Sequence, residues 1–271
     1  MLGKLLKYEF KAVGRILLPL YAAWLILAIL TGITYGHAGN WIIFQAILSV
    51  LYIIMTVGVI IITLILIIQR FYKNLLGSEG YLMFTLPTTT GCHVWNKTIS
   101  GAVWMLISGA IAIFSMSLSS FFSQSVRFSP GEIVQDILSN VGINNVSNAN
   151  TVLLLLEIIA VALIIGGEFA LKVYGSISLG QLWSSHRILG AIGAYIGFSI
   201  VEGALFIAGT VSTNNSNINN GWASVVGHIS RMSTFAQSQV ILGTIAALTV
   251  ILGVIYFVIT YQLLKRKLNL E

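Results

Sequence analysis

Hydrophobic and polar positions in this chain fall into long blocks rather than short periods. Six apolar runs stand out, approximately Ile16–Tyr35, Trp41–Gln69, Ile99–Phe122, Thr151–Lys172, Leu189–Val211 and Val240–Leu264. As helices rising about 1.5 Å per residue, each is long enough to cross a hydrocarbon core of roughly 30 Å. The second run would reach about 43 Å, so it either tilts strongly or projects beyond the bilayer. The pattern predicts an all-α integral membrane protein with six transmembrane helices, built as a single domain over residues 1–271 without a linker.

Shorter patterns flank the runs. Over residues 1–15, Leu2, Leu5, Leu6, Phe10 and Val13 fall on one side of a helix, with Lys4, Lys7, Lys11 and Arg15 opposite. Such a helix is expected to lie in the membrane interface with its lysines toward anionic headgroups. Glu9 falls on the apolar face, either as an edge residue that snorkels or as a contact to a partner or the next span. Ser129-Pro-Gly-Glu132 pairs an N-cap serine with proline at the first helical position and a glutamate three residues after the cap. A short helix on the outer rim is expected there, ending near Gly142. In the fifth run Gly190, Gly193 and Gly197 lie along one flank, and Gly193–Gly197 is a G-x-x-x-G pair. Small residues let helix backbones approach closely, either inside one chain or between two copies.

Composition agrees with the blocks. The chain has 271 residues, 57% of them hydrophobic and 8% charged, whereas a soluble domain carries about 25% charged residues. The net charge of +6 could suggest nucleic acid, but its distribution argues against that partner and for a lipid bilayer. Six spans place twelve of the fourteen basic residues on one side and only Arg127 and Arg231 on the other. The positive-inside bias then puts both termini in the cytoplasm. The basic-then-apolar start resembles a signal peptide, but cleavage would break this partition, so an uncleaved first span is expected. Cys92, the single cysteine, excludes an intramolecular disulfide.

Chemical motifs are sparse. No G-x-x-x-x-G-K-[ST] loop would cradle a nucleotide, and no G-x-S-x-G elbow is present. His37, His93, His186 and His228 are scattered without metal-ligand spacing, so no metal site, cofactor or enzymatic activity is expected in this chain. Three acids do lie inside apolar runs, where each must face protein or water or be protonated. Glu168 precedes Lys172 by four residues, the favourable orientation for a structural helical ion pair. Glu157 and Glu202 are expected at similar depth in adjacent spans. They either hydrogen-bond neighbouring hydroxyls or form a polar cavity or gate.

The stretch between the second and third runs, Arg70–Lys97, reads RFYKNLLGSEGYLMFTLPTTTGCHVWNK. It is polar yet carries aromatics, a lone acid (Glu79) between Gly77 and Gly80, and a helix-stopping Pro87. An apolar element retained at a surface is usually shown to a partner.

The string YKNLLGSEGYLMFTLP, with Lys97 ten residues on, resembles the cytoplasmic segment of ATP-binding-cassette type 2 exporter permeases of Gram-positive bacteria. The stretch VYGSISLGQLWSSHRILGAIGAYIG from Val173 to Gly197 is similar to the same group. The resemblance implies a permease in the bacterial plasma membrane that pairs with a second permease copy, identical or paralogous. Two separate ATPase subunits, which hold ATP and Mg, would dock on it. It also implies a coupling helix between spans two and three, matched here by Glu79, Gly80, Tyr81, Leu82, Phe84 and Pro87. The implied cargo is hydrophobic or amphipathic, including toxin or antimicrobial peptides, with the permeases for phenol-soluble modulins as a narrower match.

Two other classes remain open from the residues alone. An ion- or proton-coupled carrier would suit the three-and-three division of spans, although the halves share no residue pattern. A non-transporting membrane immunity or scaffold protein would suit the missing chemistry.

Overall fold

The computed structural model describes residues 2–36, 42–77, 80, 88–123, 148–183, 186–214 and 231–266. Six long helices account for nearly all of them: α1 (Leu2–Gly36), α2 (Ile42–Phe71), α3 (Thr90–Phe122), α4 (Asn148–Gly180), α5 (Arg187–Asn214) and α6 (Thr234–Arg266). All six are long and apolar enough to span a membrane, and no strand occurs among the described residues. The chain is thus compatible with a multi-pass membrane protein. Isoleucines such as Ile43, Ile53 and Ile60 stand exposed along α2, as expected where lipid tails rather than water form the surroundings.

Each helix is longer than the apolar run that announced it. Polar flanks join the helix when nothing breaks it, because every backbone group then keeps an internal partner. At α3 the first two turns, Thr90–Lys97, belong to the stretch that sequence assigned to a connecting segment. Their side chains are well packed: His93, Val94, Asn96 and Lys97 are all buried. On the other side of the segment, α2 runs into a single π-helical turn, Tyr72–Leu76. Gly77 closes that turn by donating its N–H to the Tyr72 carbonyl at 2.9 Å.

The chain divides into two compact units, one containing α1–α3 and the other α4–α6. In the first unit α1 packs against both α2 and α3. Glu9, Val13, Leu17, Tyr21, Trp24, Ala28 and Thr31 are all buried on α1. They recur every three or four residues, a single stripe at the helical period. Trp104 of α3 and Val59 and Leu66 of α2 complete the core around it. Hydroxyls pin the helices at several levels: Tyr21 and Thr63 both meet the Ser108 hydroxyl, and the Trp24 indole N–H donates to Thr56. Near the far end Thr31 lies 3.3 Å from Ser119, where a Cβ on Gly32 would stand 2.4 Å from the Ser119 carbonyl oxygen.

Residues 2–15 are not a separate interfacial helix: α1 is continuous from Leu2 to Gly36. Lys4, Lys7, Lys11 and Arg15 are exposed on it as expected. Its apolar face, however, continues the stripe that packs on α2 and α3. Gly14 is buried within this helix, where an added Cβ would stand 3.4 Å from the Trp104 ring, and it creates no break.

In the second unit α4 is central, packed on α5 and α6. Phe198 of α5 and Tyr256 of α6 meet with ring centroids 4.8 Å apart. A Cβ on Gly175 of α4 would touch the Thr260 hydroxyl, the Phe198 ring and the Tyr256 carbonyl. The turn from α4 into α5 is tight. A Cβ on Gly180 would lie 2.6 Å from the Ala191 nitrogen and from the Arg187 carbonyl oxygen, so the two helices cross backbone to backbone.

Candidate functional site

Two charged clusters lie inside the units, one in each. In the first, Glu9 of α1 accepts a hydrogen bond from Arg70 Nη1 at 3.0 Å and another from Lys97 Nζ at 2.7 Å. Both are ion pairs, with the Lys97 and Glu9 side chains only 2% and 8% exposed. The acid that seemed misplaced on an apolar face is therefore a contact to the next two helices. Arg70 is next to last in α2 and Lys97 lies in the second turn of α3. One carboxylate thus holds both ends of the Arg70–Lys97 stretch. The Thr88 hydroxyl meets His93 Nε2 at 2.6 Å, tying the chain ahead of α3 to its first turn.

Of the residues matched to a coupling helix, Glu79, Tyr81, Leu82, Phe84 and Pro87 lie outside the described residues. Gly80 is described: it is buried, and its N–H donates to the Gly77 carbonyl at 2.9 Å. The rim helix expected after Ser129 also falls outside the described residues.

In the second unit the expected pairings change. Lys172 bonds Glu202 of α5, not Glu168 on its own helix. Glu202 also accepts the Tyr256 hydroxyl of α6, and the Lys172 ammonium stands 4.9 Å over the Tyr195 ring. This one residue therefore meets an acid and an aromatic face together. Glu168 lies near both Lys172 and Glu202, yet its Oε1 is buried with no hydrogen-bond partner. The i to i+4 spacing offered a partner within reach. A carboxylate on the facing helix, already oriented by a tyrosine, takes the ammonium instead.

Glu157 and Glu202 do not come together. Glu157 accepts a hydrogen bond from Gln239 Nε2 of α6 at 2.5 Å. Glu202 belongs to the Lys172 cluster, close to Glu168, and Glu157 precedes Glu168 by eleven residues, roughly 16 Å along the axis of α4. The similar depth expected of the two acids came from counting residues in apolar runs. The helices extend past those runs by different amounts, so the count misplaced them.

The glycines of α5 also separate into two kinds. A Cβ on Gly190 would stand 2.3 Å from the Trp183 ring, so this glycine serves packing within the chain. Gly193 and Gly197 face open space. Among the described residues no group of three or more His, Cys, Asp or Glu side chains is placed to hold a metal ion.

Comparison with known proteins returns no relatives: no family model, curated protein or solved structure matches this chain.

Proposed function

We propose that this chain is the membrane-spanning permease subunit of an ATP-driven exporter of the ATP-binding-cassette type 2 class. It moves hydrophobic or amphipathic cargo, with amphipathic peptides as the favoured class, out of a bacterial cell across the plasma membrane. Both termini lie in the cytoplasm, where a separate ATPase subunit docks on the Arg70–Lys97 stretch. A second permease copy completes the pathway.

The observation that carries this reading is the stretch itself. An EGYLMFTLP string resembling that family's coupling segment lies between two long helices, and its flanking cations share one buried carboxylate. Conversion of ATP hydrolysis into movement needs a rigid mount, since a loose loop would dissipate the stroke. Glu79 would give a charge-assisted hydrogen bond to the ATPase, worth about 1.5–3 kcal/mol if desolvated. Tyr81 and Phe84 would supply the apolar anchor. The experiment is a pull-down of ATPase with the detergent-solubilised permease, with hydrolysis and export assayed on the same preparation. Glu79→Ala with Phe84→Ala should leave the permease in the membrane, weaken ATPase capture and uncouple hydrolysis from export. Normal capture and export by that double variant would move the coupling site elsewhere, with Gly180–Arg187 next in line.

One feature favours a second reading, an ion- or proton-coupled carrier. The helices divide three and three, and the second unit holds two carboxylates around one lysine at membrane depth. Transport that follows a proton gradient without any ATPase would select it.

A further inference from the structure

Glu9 lies outside the stretch matched to the coupling segment, yet its carboxylate bonds both of that stretch's terminal cations. Arg70 and Lys97 stand at the two ends of a 28-residue stretch of chain. Both ends of that stretch are helical, α2 with its π-helical turn to Leu76 and α3 from Thr90, so fixing Arg70 and Lys97 to one group sets how these two helices meet. Here the fixing group comes from a third helix. The Glu9 carboxylate is buried, and of its two partners Lys97 is buried as well. The pairs are therefore screened far less than ion pairs in solvent, and loss of the carboxylate removes the group that both cations share. Glu9 is also the first member of the buried stripe of α1. Phe10 beside it packs on Trp104 at 5.9 Å between ring centroids, and Val13 follows one turn on.

We infer that Glu9 is a positioning residue. By gripping Arg70 and Lys97 together, the first turns of α1 set the spacing of both ends of the 70–97 stretch and fix it to the body of α1–α3. The consequence for energy coupling rests on the exporter reading, because it requires an ATPase on that stretch; the grip itself does not.

Cys92, five residues before Lys97 and partly exposed, is the chain's own reporter. The full-length protein is reconstituted in nanodiscs, where both faces are open to reagent, and the rate of Cys92 modification by a maleimide is measured. Glu9→Gln should raise that rate about fivefold or more, the response to loss of about one strong contact. The exposed Lys7→Gln on the opposite face should not change it. Glu9→Asp keeps a carboxylate facing Arg70 and Lys97 and should hold the rate to within about twofold of the parent. An unchanged rate in Glu9→Gln overturns the inference. So does a raised rate that Glu9→Asp shares in full, which is what a general loss of folding would give.

A second arm measures ATPase capture and ATP hydrolysed per cargo exported by the same variants. Wild-type protein that captures no ATPase sinks the exporter reading while the labelling arm still decides the role of Glu9. Capture by the parent, with Glu9→Gln raising ATP consumption per cargo and Glu9→Asp leaving it near the parent's, supports both.

Discussion

Lys172 crosses from α4 to Glu202 on α5 although Glu168 sits one turn away on its own helix. The choice welds the centre of the second unit, because Glu202 also receives the Tyr256 hydroxyl and so joins three helices. Removing one member of a buried ion pair strands the other, at about 3–5 kcal/mol, while replacing both with apolar groups costs far less. Lys172→Met and Glu202→Met should therefore each lower the thermal unfolding midpoint in detergent clearly, and the double variant should recover most of the loss. Glu168→Gln should be mild, since no ion pair is broken. Additive losses in the double variant would mean the pair contributes no coupling energy.

Gly180 and Gly193 are both helical glycines in a small-residue region, yet they should respond oppositely to a methyl group. A Cβ at Gly180 meets backbone atoms at 2.6 Å, which cannot move aside as a side-chain tip can. Gly180→Ala should destabilise by about 1–3 kcal/mol through forced separation of α4 and α5. Gly193→Ala meets nothing and replaces glycine with a better helix former, so it should be neutral or stabilising by up to about 1 kcal/mol. Thermal unfolding of each variant checks the contrast, and equal losses would contradict it.

The six helices were legible because a bilayer-length apolar run has few alternative folds. Their ends were less so. Thr90–Lys97 reads as polar connection by composition, yet it is helix because Lys97 and His93 find partners inside the unit. Glu9 was visible as an anomaly on an apolar face. Its two partners were not, since they lie 61 and 88 residues away and only packing brings them close. The same limit misassigned Lys172: spacing along one helix ranks local partners and says nothing of a carboxylate on the facing helix. Gly190, Gly193 and Gly197 look alike in sequence, and only the path of the chain through Trp183 separates the first from the others.

Glu157 tests whether acids at membrane depth in this chain act by charge or by hydrogen bonding. Its partner is the neutral Gln239 amide, so an uncharged acceptor could serve as well. Glu157→Gln should keep stability and, on the exporter reading, cargo-stimulated turnover close to the parent's, and Glu157→Leu should lower stability by about 1–3 kcal/mol by stranding the amide. Glu202→Gln, by contrast, weakens an ion pair and should alter turnover. A Glu157→Gln variant that folds normally but fails to transport would show that the charge itself is used.

The basic residues gather at one end of each unit, and this sets the sidedness expected of the chain. Within the first unit, the Glu9 contacts bring the start of α1, the end of α2 and the start of α3 to one end. Lys4, Lys7, Lys11, Arg70 and Lys97 therefore gather there. Within the second unit, the close approach of Gly180 to Arg187 and of Gly175 to Thr260 gathers Arg187, Lys265 and Arg266 at one end in the same way. Arg231 precedes α6 at the opposite end. Loops rich in lysine and arginine stay on the cytoplasmic side during insertion, so these ends should face the cytosol. Cys92 should accordingly react with a membrane-impermeant thiol reagent in inside-out vesicles and stay unmodified in intact cells. A cysteine introduced as Ser216→Cys, in a Cys92→Ser background, should react in intact cells. Modification of Cys92 from outside intact cells would invert the assignment, and with it the side on which any ATPase could dock.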